Sequence, residues 1–190
     1  MIRVALIGKI GSGKTFISKL FGYPVFNADK IVSKIYARDK EIYQKLKKKL
    51  PNFFYSFPIQ KNELIKAVKE HEDNIKIISS VVHPEVRKCL NIFLKKNKKK
   101  KIVVLDIPLF LENRLNKAND KIIFVESKST DISLRIKKRK NFNKIVFKRL
   151  QNLQFSIDKK KKRSNFIIKN NFKKNVVQKS VKDIINRIIL

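Results

Sequence analysis

Near the amino terminus, Gly8-Lys9-Ile10-Gly11-Ser12-Gly13-Lys14-Thr15 places glycine, glycine, lysine and a hydroxyl at the fixed positions of G-x-x-x-x-G-K-[ST]. Such spacing lets a chain turn sharply from strand to helix while several backbone N–H groups point at one small anion. Glycines at 11 and 13 allow backbone angles and a close approach that a Cβ blocks. A helix beginning near Lys14 presents unpaired N–H donors and a positive dipole end to phosphate. Lys14 adds a point charge between the β and γ phosphates, and the Thr15 hydroxyl is placed to ligate Mg²⁺. The plainer alternative is a glycine turn that happens to carry Lys-Thr.

Other candidate groups lie further along. Asp106 closes the apolar run Ile102-Val103-Val104-Leu105. Lying beside the first strand, it would aim its carboxylate at a metal ion or its waters; alternatively it caps a turn. Asp29 follows a short strand and should emerge at the same carboxyl edge as the loop, where open α/β sheets bind ligands. It could accept or orient a hydroxyl proton, or simply cap the next helix. Arg135 and Arg139 are four apart and share a helix face, suiting either a lid that brings positive charge to a transferring phosphate or a solvated surface.

These groups need a scaffold, and the pattern supplies one. Ile2–Ile7 reads as a strand and Phe16–Phe21 as a helix, with further strands at Pro24–Phe26, Ile102–Leu105, Lys121–Val125 and Phe166–Ile168. Helical spacing covers Ile31 to Lys49, and Glu63 to about Lys96 with an interruption at His83-Pro84. A helix capped by Ser129 or Thr130 runs past Arg139, and a terminal one covers Val176–Leu190. Pro51–Pro58 reads as a loop or hinge, and residues 141 to 165 as basic surface helices or loops. Five strands alternating with helices predict a three-layer α/β fold around a mostly parallel sheet.

With 190 residues, 43% of them hydrophobic, the chain suits one globular domain. No apolar run reaches membrane-spanning length and no signal-peptide pattern opens the chain, so a cytoplasmic location without membrane partners is expected. Cys89 is expected in the core, and neither His71 nor His83 belongs to a metal cluster. The net charge of +32, from 47 Lys+Arg against 15 Asp+Glu, favours polyanions if functional. Lysine runs mixed with Asn, Ile and Phe fit compositional bias better. They lack the interleaved aromatics of nucleic-acid modules, and nucleic acid is not the expected partner.

Taken in order, Ile10 to Lys14, Asn27-Ala28-Asp29, His83-Pro84 with Arg87, Asp106-Ile107-Pro108-Leu109 with Glu112, Arg135 with Arg139, Gln154, and Phe166 to Asn170 resemble the dephospho-CoA kinase family. The family pattern has Asp where Asn27 stands, often glycine at Lys9, and often a hydroxyl residue at Phe16. The resemblance implies a P-loop kinase fold: a core at about 1–36, 100–134 and 164–190, a helical substrate region at about 37–99, and a lid at about 135–163. It also implies ATP and Mg²⁺ as cofactors, dephospho-CoA as acceptor, and a monomer phosphorylating the ribose 3′-hydroxyl in the last step of coenzyme A biosynthesis. ATP contacts then fall on Gly8, Gly11, Ser12, Gly13, Lys14, Thr15 and Phe16. Acceptor contacts fall on His83, Arg87, Asp106, Pro108 and Glu112, catalysis on Lys14, Asp29 and Arg139, the lid on Arg135 and Arg139, and the metal on Thr15 and Asp106.

Three other classes compete. Another small-molecule or nucleoside kinase would share Lys14, Thr15 and Asp106 but has no reason to carry H-P-x-x-R and D-I-P-L. A nucleic-acid-binding P-loop ATPase would use the positive charge, but no RNA-binding signature accompanies it. A GTPase needs an N-K-x-D-type guanine reader, and none occurs.

Overall fold

In the computed structural model, which describes residues 1–138 and 142–190, the apolar runs become parallel strands of one sheet. Among these residues the strands are β1 (Ile2–Gly8), β2 (Val25–Asn27), β3 (Ile102–Asp106), β4 (Lys121–Glu126) and β5 (Phe166–Lys169), ordered β2-β3-β1-β4-β5. All of β3 and all of β1 beyond Ile2 are buried, as strands covered on both faces must be, and both runs are accordingly apolar on both sides of the pleat except at Asp106 and at Arg3, whose guanidinium pairs with Asp120 at 3.1 Å. Register sets Ala5 against Leu105, and Asn27 against Asp106, so the ends of β2 and β3 come level.

Parallel neighbours need crossovers, and these are helices. The chain forms α1 (Lys14–Leu20), α2 (Ala28–Arg38), α3 (Lys40–Lys49), α4 (Lys61–Glu70), α5 (Asp73–Lys96), α6 (Ser129–Lys137), α7 (Lys144–Asn152), α8 (Ile157–Lys162) and α9 (Lys174–Ile189). The α6 helix starts at Ser129 itself, behind Lys128, with no side-chain cap.

Two compact units result. The first comprises Met1–Asn27, Asn97–Phe142 and Gln151–Leu190, apart from the residues not described. Its core stacks Val4 and Leu6 of β1, Val104, Ile123 and Ile168 on one sheet face against Ile17 of α1 and Val177, Val181, Ile184 and Ile188 of α9. The i, i+4, i+7, i+11 spacing of those α9 residues is what lays one helix stripe on the sheet.

The second unit comprises Ala28–Lys96 and Asn143–Leu150. Here α5 packs against α2, α3 and α4. The helical run expected to break at His83-Pro84 breaks instead at His71-Glu72. His71 is extended (φ −131°, ψ 135°), and the buried Asn74 amide donates to the Ala67 carbonyl at 2.8 Å, tying the start of α5 to the end of α4. Pro84 removes one N–H within a 24-residue helix, while the buried stripe Ile78, Val81, Val82 and Leu90 holds the helix together across it. Cys89 is half-buried; its neighbour Leu90 fills the core position instead. Between α3 and α4, Phe54 is fully buried, and the carboxylate of Glu63 accepts the amides of Tyr55, Ser56 and Gln60 at 2.8–2.9 Å.

Candidate active site

The loop Gly8–Thr15 leaves the carboxyl end of β1 and closes onto α1. Gly11 and Gly13 have φ of 86° and 90°, in the left-handed region, and a Cβ at Gly11 would lie 2.9 Å from the side chain of Ile136. Gly13 caps α1, its carbonyl taking the amides of Phe16 and Ile17 at 3.0 Å. The ammonium of Lys14 donates to the carbonyls of Gly8 at 3.2 Å and Lys9 at 3.0 Å, so the loop curls round its own lysine.

Ser12 is fully buried, and its Oγ has no hydrogen-bond partner among the described residues. Its carbonyl takes the Ser127 hydroxyl at 2.9 Å and the Asn170 amide at 2.8 Å. Thus residues just past β4 and β5 brace the loop from the side.

Asp106 is 3% exposed at the end of β3. One of its oxygens, Oδ2, accepts the Thr15 hydroxyl at 2.6 Å and the Asn27 amide at 2.6 Å. Two strand ends and the first turn of α1 therefore deliver a carboxylate, an amide and a hydroxyl to one point.

Within the first unit, Phe16 is half-buried on α1 and Pro108 is exposed just past β3. Glu112 Oε1 accepts the Phe155 amide at 2.8 Å and pairs with Lys160 Nζ at 3.1 Å. Gln154 Nε2 reaches the Gly8 carbonyl at 3.5 Å. Arg135 is exposed on α6, its guanidinium 4.1 Å from the centre of the Phe172 ring. Arg139 lies outside the described residues.

Within the second unit, Asp29 is exposed in the first turn of α2, two residues along the chain from Asn27. His83 and Arg87 stand four apart on α5. Burial and then the charge of Arg87 hold the half-buried His83 imidazole below its ordinary range, so it is neutral at pH 7.

Sequence reasoning missed Ser127, Phe172 and Lys160. Ser127 follows a buried strand, the same position relative to β4 that makes strand-end residues chemically useful, and could have been found on that ground. Lys160 was hidden in the run Lys159–Lys162, read as surface; it is 4% exposed, because α8 turns that one lysine inward to Glu112. In the same unit a cavity of about 680 Å³ opens beside Lys9, Ser127, Asp131 and Asn170, within the size range of small-molecule sites.

A parallel sheet in this order, with G-x-x-x-x-G-K-T turning from its central strand into α1 and a carboxylate from the adjacent strand on the loop threonine, defines a P-loop kinase. The comparisons narrow the class. The family model described as dephospho-CoA kinase matches residues 2–175. A dephospho-CoA kinase of Wolbachia pipientis wMel is 35% identical over 192 residues, covering 98% of each chain. In fold, a protein from Thermus thermophilus superposes with a TM-score of 0.75 at 23% identity, over 98% of this chain and 97% of that one. A dephospho-CoA kinase from Campylobacter jejuni gives 0.64 at 24% identity, over 98% and 96%. The chain belongs to the dephospho-CoA kinase family.

Proposed function

We propose that the chain transfers the γ-phosphoryl group of ATP to the ribose 3′-hydroxyl of dephospho-CoA, giving CoA and ADP in the last step of coenzyme A biosynthesis. The convergence of Thr15 and Asp106 at 2.6 Å behind the phosphate loop carries the phosphotransfer half of this reading. Membership of the family, with H-P-x-x-R at His83–Arg87 and D-I-P-L-x-x-E at Asp106–Glu112, supports the acceptor.

The loop N–H groups from Gly8 to Thr15, continued by Phe16, receive the triphosphate. Lys14 exchanges the carbonyls of Gly8 and Lys9 for phosphate oxygens and meets the charge that builds in the transition state. A hydroxyl and a carboxylate 2.6 Å apart are hard oxygen donors of the kind Mg²⁺ takes together with phosphate and water, so Thr15 and Asp106 fit that ion. Bound there, Mg²⁺ would supply charge neutralisation for the phosphates.

Asp29 orients the 3′-hydroxyl and takes its proton as the new O–P bond forms and the bond to the β-phosphate oxygen breaks. Asp106 and Pro108 also serve acceptor binding, as do His83, whose neutral imidazole offers one donor and one acceptor, and Arg87, which offers a guanidinium fork to anionic groups. Arg135 and Arg139 add positive charge from the lid. The enzyme works as a cytoplasmic monomer; no helix among the described residues is long and apolar enough to cross a membrane.

The test is coupled ADP release from ATP with a panel of hydroxyl acceptors. Turnover confined to dephospho-CoA is expected, and preference for an ordinary nucleoside would defeat the reading.

A further inference from the structure

We propose that Glu112 is a positioning residue for the phosphate loop, acting through Lys160, Phe155 and Gln154, and not a contact of the acceptor. The inference rests on the reading that Gly8–Thr15 binds ATP.

Glu112 ends the segment that follows Asp106, and its Oε1 is held by two groups of one neighbouring stretch, the Phe155 amide at 2.8 Å and Lys160 Nζ at 3.1 Å. The side chains of Glu112 and Lys160 are 9% and 4% exposed. By contrast, Lys45–Glu41, Lys76–Asp73 and Lys88–Glu85 are solvated pairs within single helices. A buried pair of this kind does little for net stability but fixes geometry, because either charge left alone is heavily penalised.

What it fixes is residue 154. Gln154 directly precedes Phe155, and its Nε2 stands 3.5 Å from the Gly8 carbonyl, the outer limit of a hydrogen bond. That carbonyl is occupied by Lys14 at 3.2 Å. When Lys14 turns to the phosphates, Gly8 loses its ammonium donor, and Gln154 stands next to take its place. A polar group that keeps a partner throughout spares the loop a desolvation penalty in the ATP-bound state. Glu112 sets Gln154 at that distance by anchoring the two residues on either side of the start of α8.

The experiment measures dissociation constants for ATP and for dephospho-CoA separately, by titration calorimetry, on the full chain and on Glu112→Gln, Gln154→Ala and the double variant. One hydrogen bond's net worth gives an expected weakening of ATP binding of roughly 3–10-fold in each single variant. The double variant should be no weaker than the worse single variant by more than about twofold, since both act on one contact. Dephospho-CoA affinity should stay within about twofold of the parent. Loss of dephospho-CoA affinity with ATP unchanged would overturn the proposal and make Glu112 an acceptor contact; multiplying effects would also overturn it. If Glu112→Gln fails to fold, Glu112→Leu with Lys160→Met removes both charges together, and ATP affinity equal to the parent's would then count against the proposal. The parent chain tests the underlying reading by itself: ATP binding without dephospho-CoA binding defeats the acceptor assignment and leaves the Glu112 inference standing.

Discussion

The side-chain amide of Asn27 donates to Asp106 Oδ2 at 2.6 Å, the oxygen that also takes the Thr15 hydroxyl. The family pattern carries Asp at position 27, and in this chain the amide has become a hydrogen-bond donor to the carboxylate. Asn27→Asp would set two carboxylates against each other and favour protonation of one unless a cation lies between them. The variant should therefore lose roughly tenfold in kcat/KM at limiting Mg²⁺, the equivalent of about one pKa unit of repulsion, and recover at saturating Mg²⁺. A Mg²⁺ titration of initial rates checks this; an unchanged Mg²⁺ dependence would contradict the metal assignment.

Lys14→Ala should leave the fold intact, because the ammonium donates to the loop carbonyls of Gly8 at 3.2 Å and Lys9 at 3.0 Å. Its kcat should fall by roughly 10²–10³, the cost of removing one charge stabiliser of the transition state, with ATP affinity weakened less. Equal losses in kcat and affinity would limit Lys14 to ground-state binding.

Asp29→Asn should lower kcat by roughly 10²–10⁴, the span of a positioned general base, with ATP affinity barely changed. A loss near the low end would mean that Asp29 acts chiefly by orienting the hydroxyl in a loose transition state. Retention of most of kcat in a folded, ATP-binding variant would move the base role to Asp106.

The sheet and the loop were legible because each rests on a short local pattern. Arg3–Gly8 and Ile102–Asp106 are buried on both faces, so their mostly apolar composition announces central strands, and the glycine spacing announces the turn. The meeting of Thr15 with Asp106 followed from those two facts. Less legible were groups whose role depends on a distant partner. Lys160 looks like its neighbours in the lysine run until Glu112 is found beside it. Pro84 looks like a helix breaker until Val81, Val82 and Leu90 of the same helix are seen buried, and Asn74 shows no sign in sequence that it reaches back to Ala67.

Glu63 offers a test of the second unit. Burial alone would push its carboxyl up, but the amides of Tyr55, Gln60 and Ser56 outweigh that and hold it below the usual carboxylate range. A depressed folded-state pKa stabilises above the unfolded value of about 4.3 and is lost as pH falls through the folded one. Glu63→Gln should thus destabilise the chain by about 1–3 kcal/mol at pH 7. The gap between variant and parent in urea midpoint should narrow below about pH 4. A gap independent of pH would show that the charge contributes nothing.

The most direct measurement incubates the purified chain with ATP, Mg²⁺ and dephospho-CoA and follows the product by phosphorus NMR, with the 3′-deoxy analogue of dephospho-CoA as control. The expected result is a new phosphomonoester resonance on the ribose 3′-oxygen, one per ADP formed, and no transfer to the analogue. ADP formed without that resonance, or equal transfer to the analogue, would contradict the assignment.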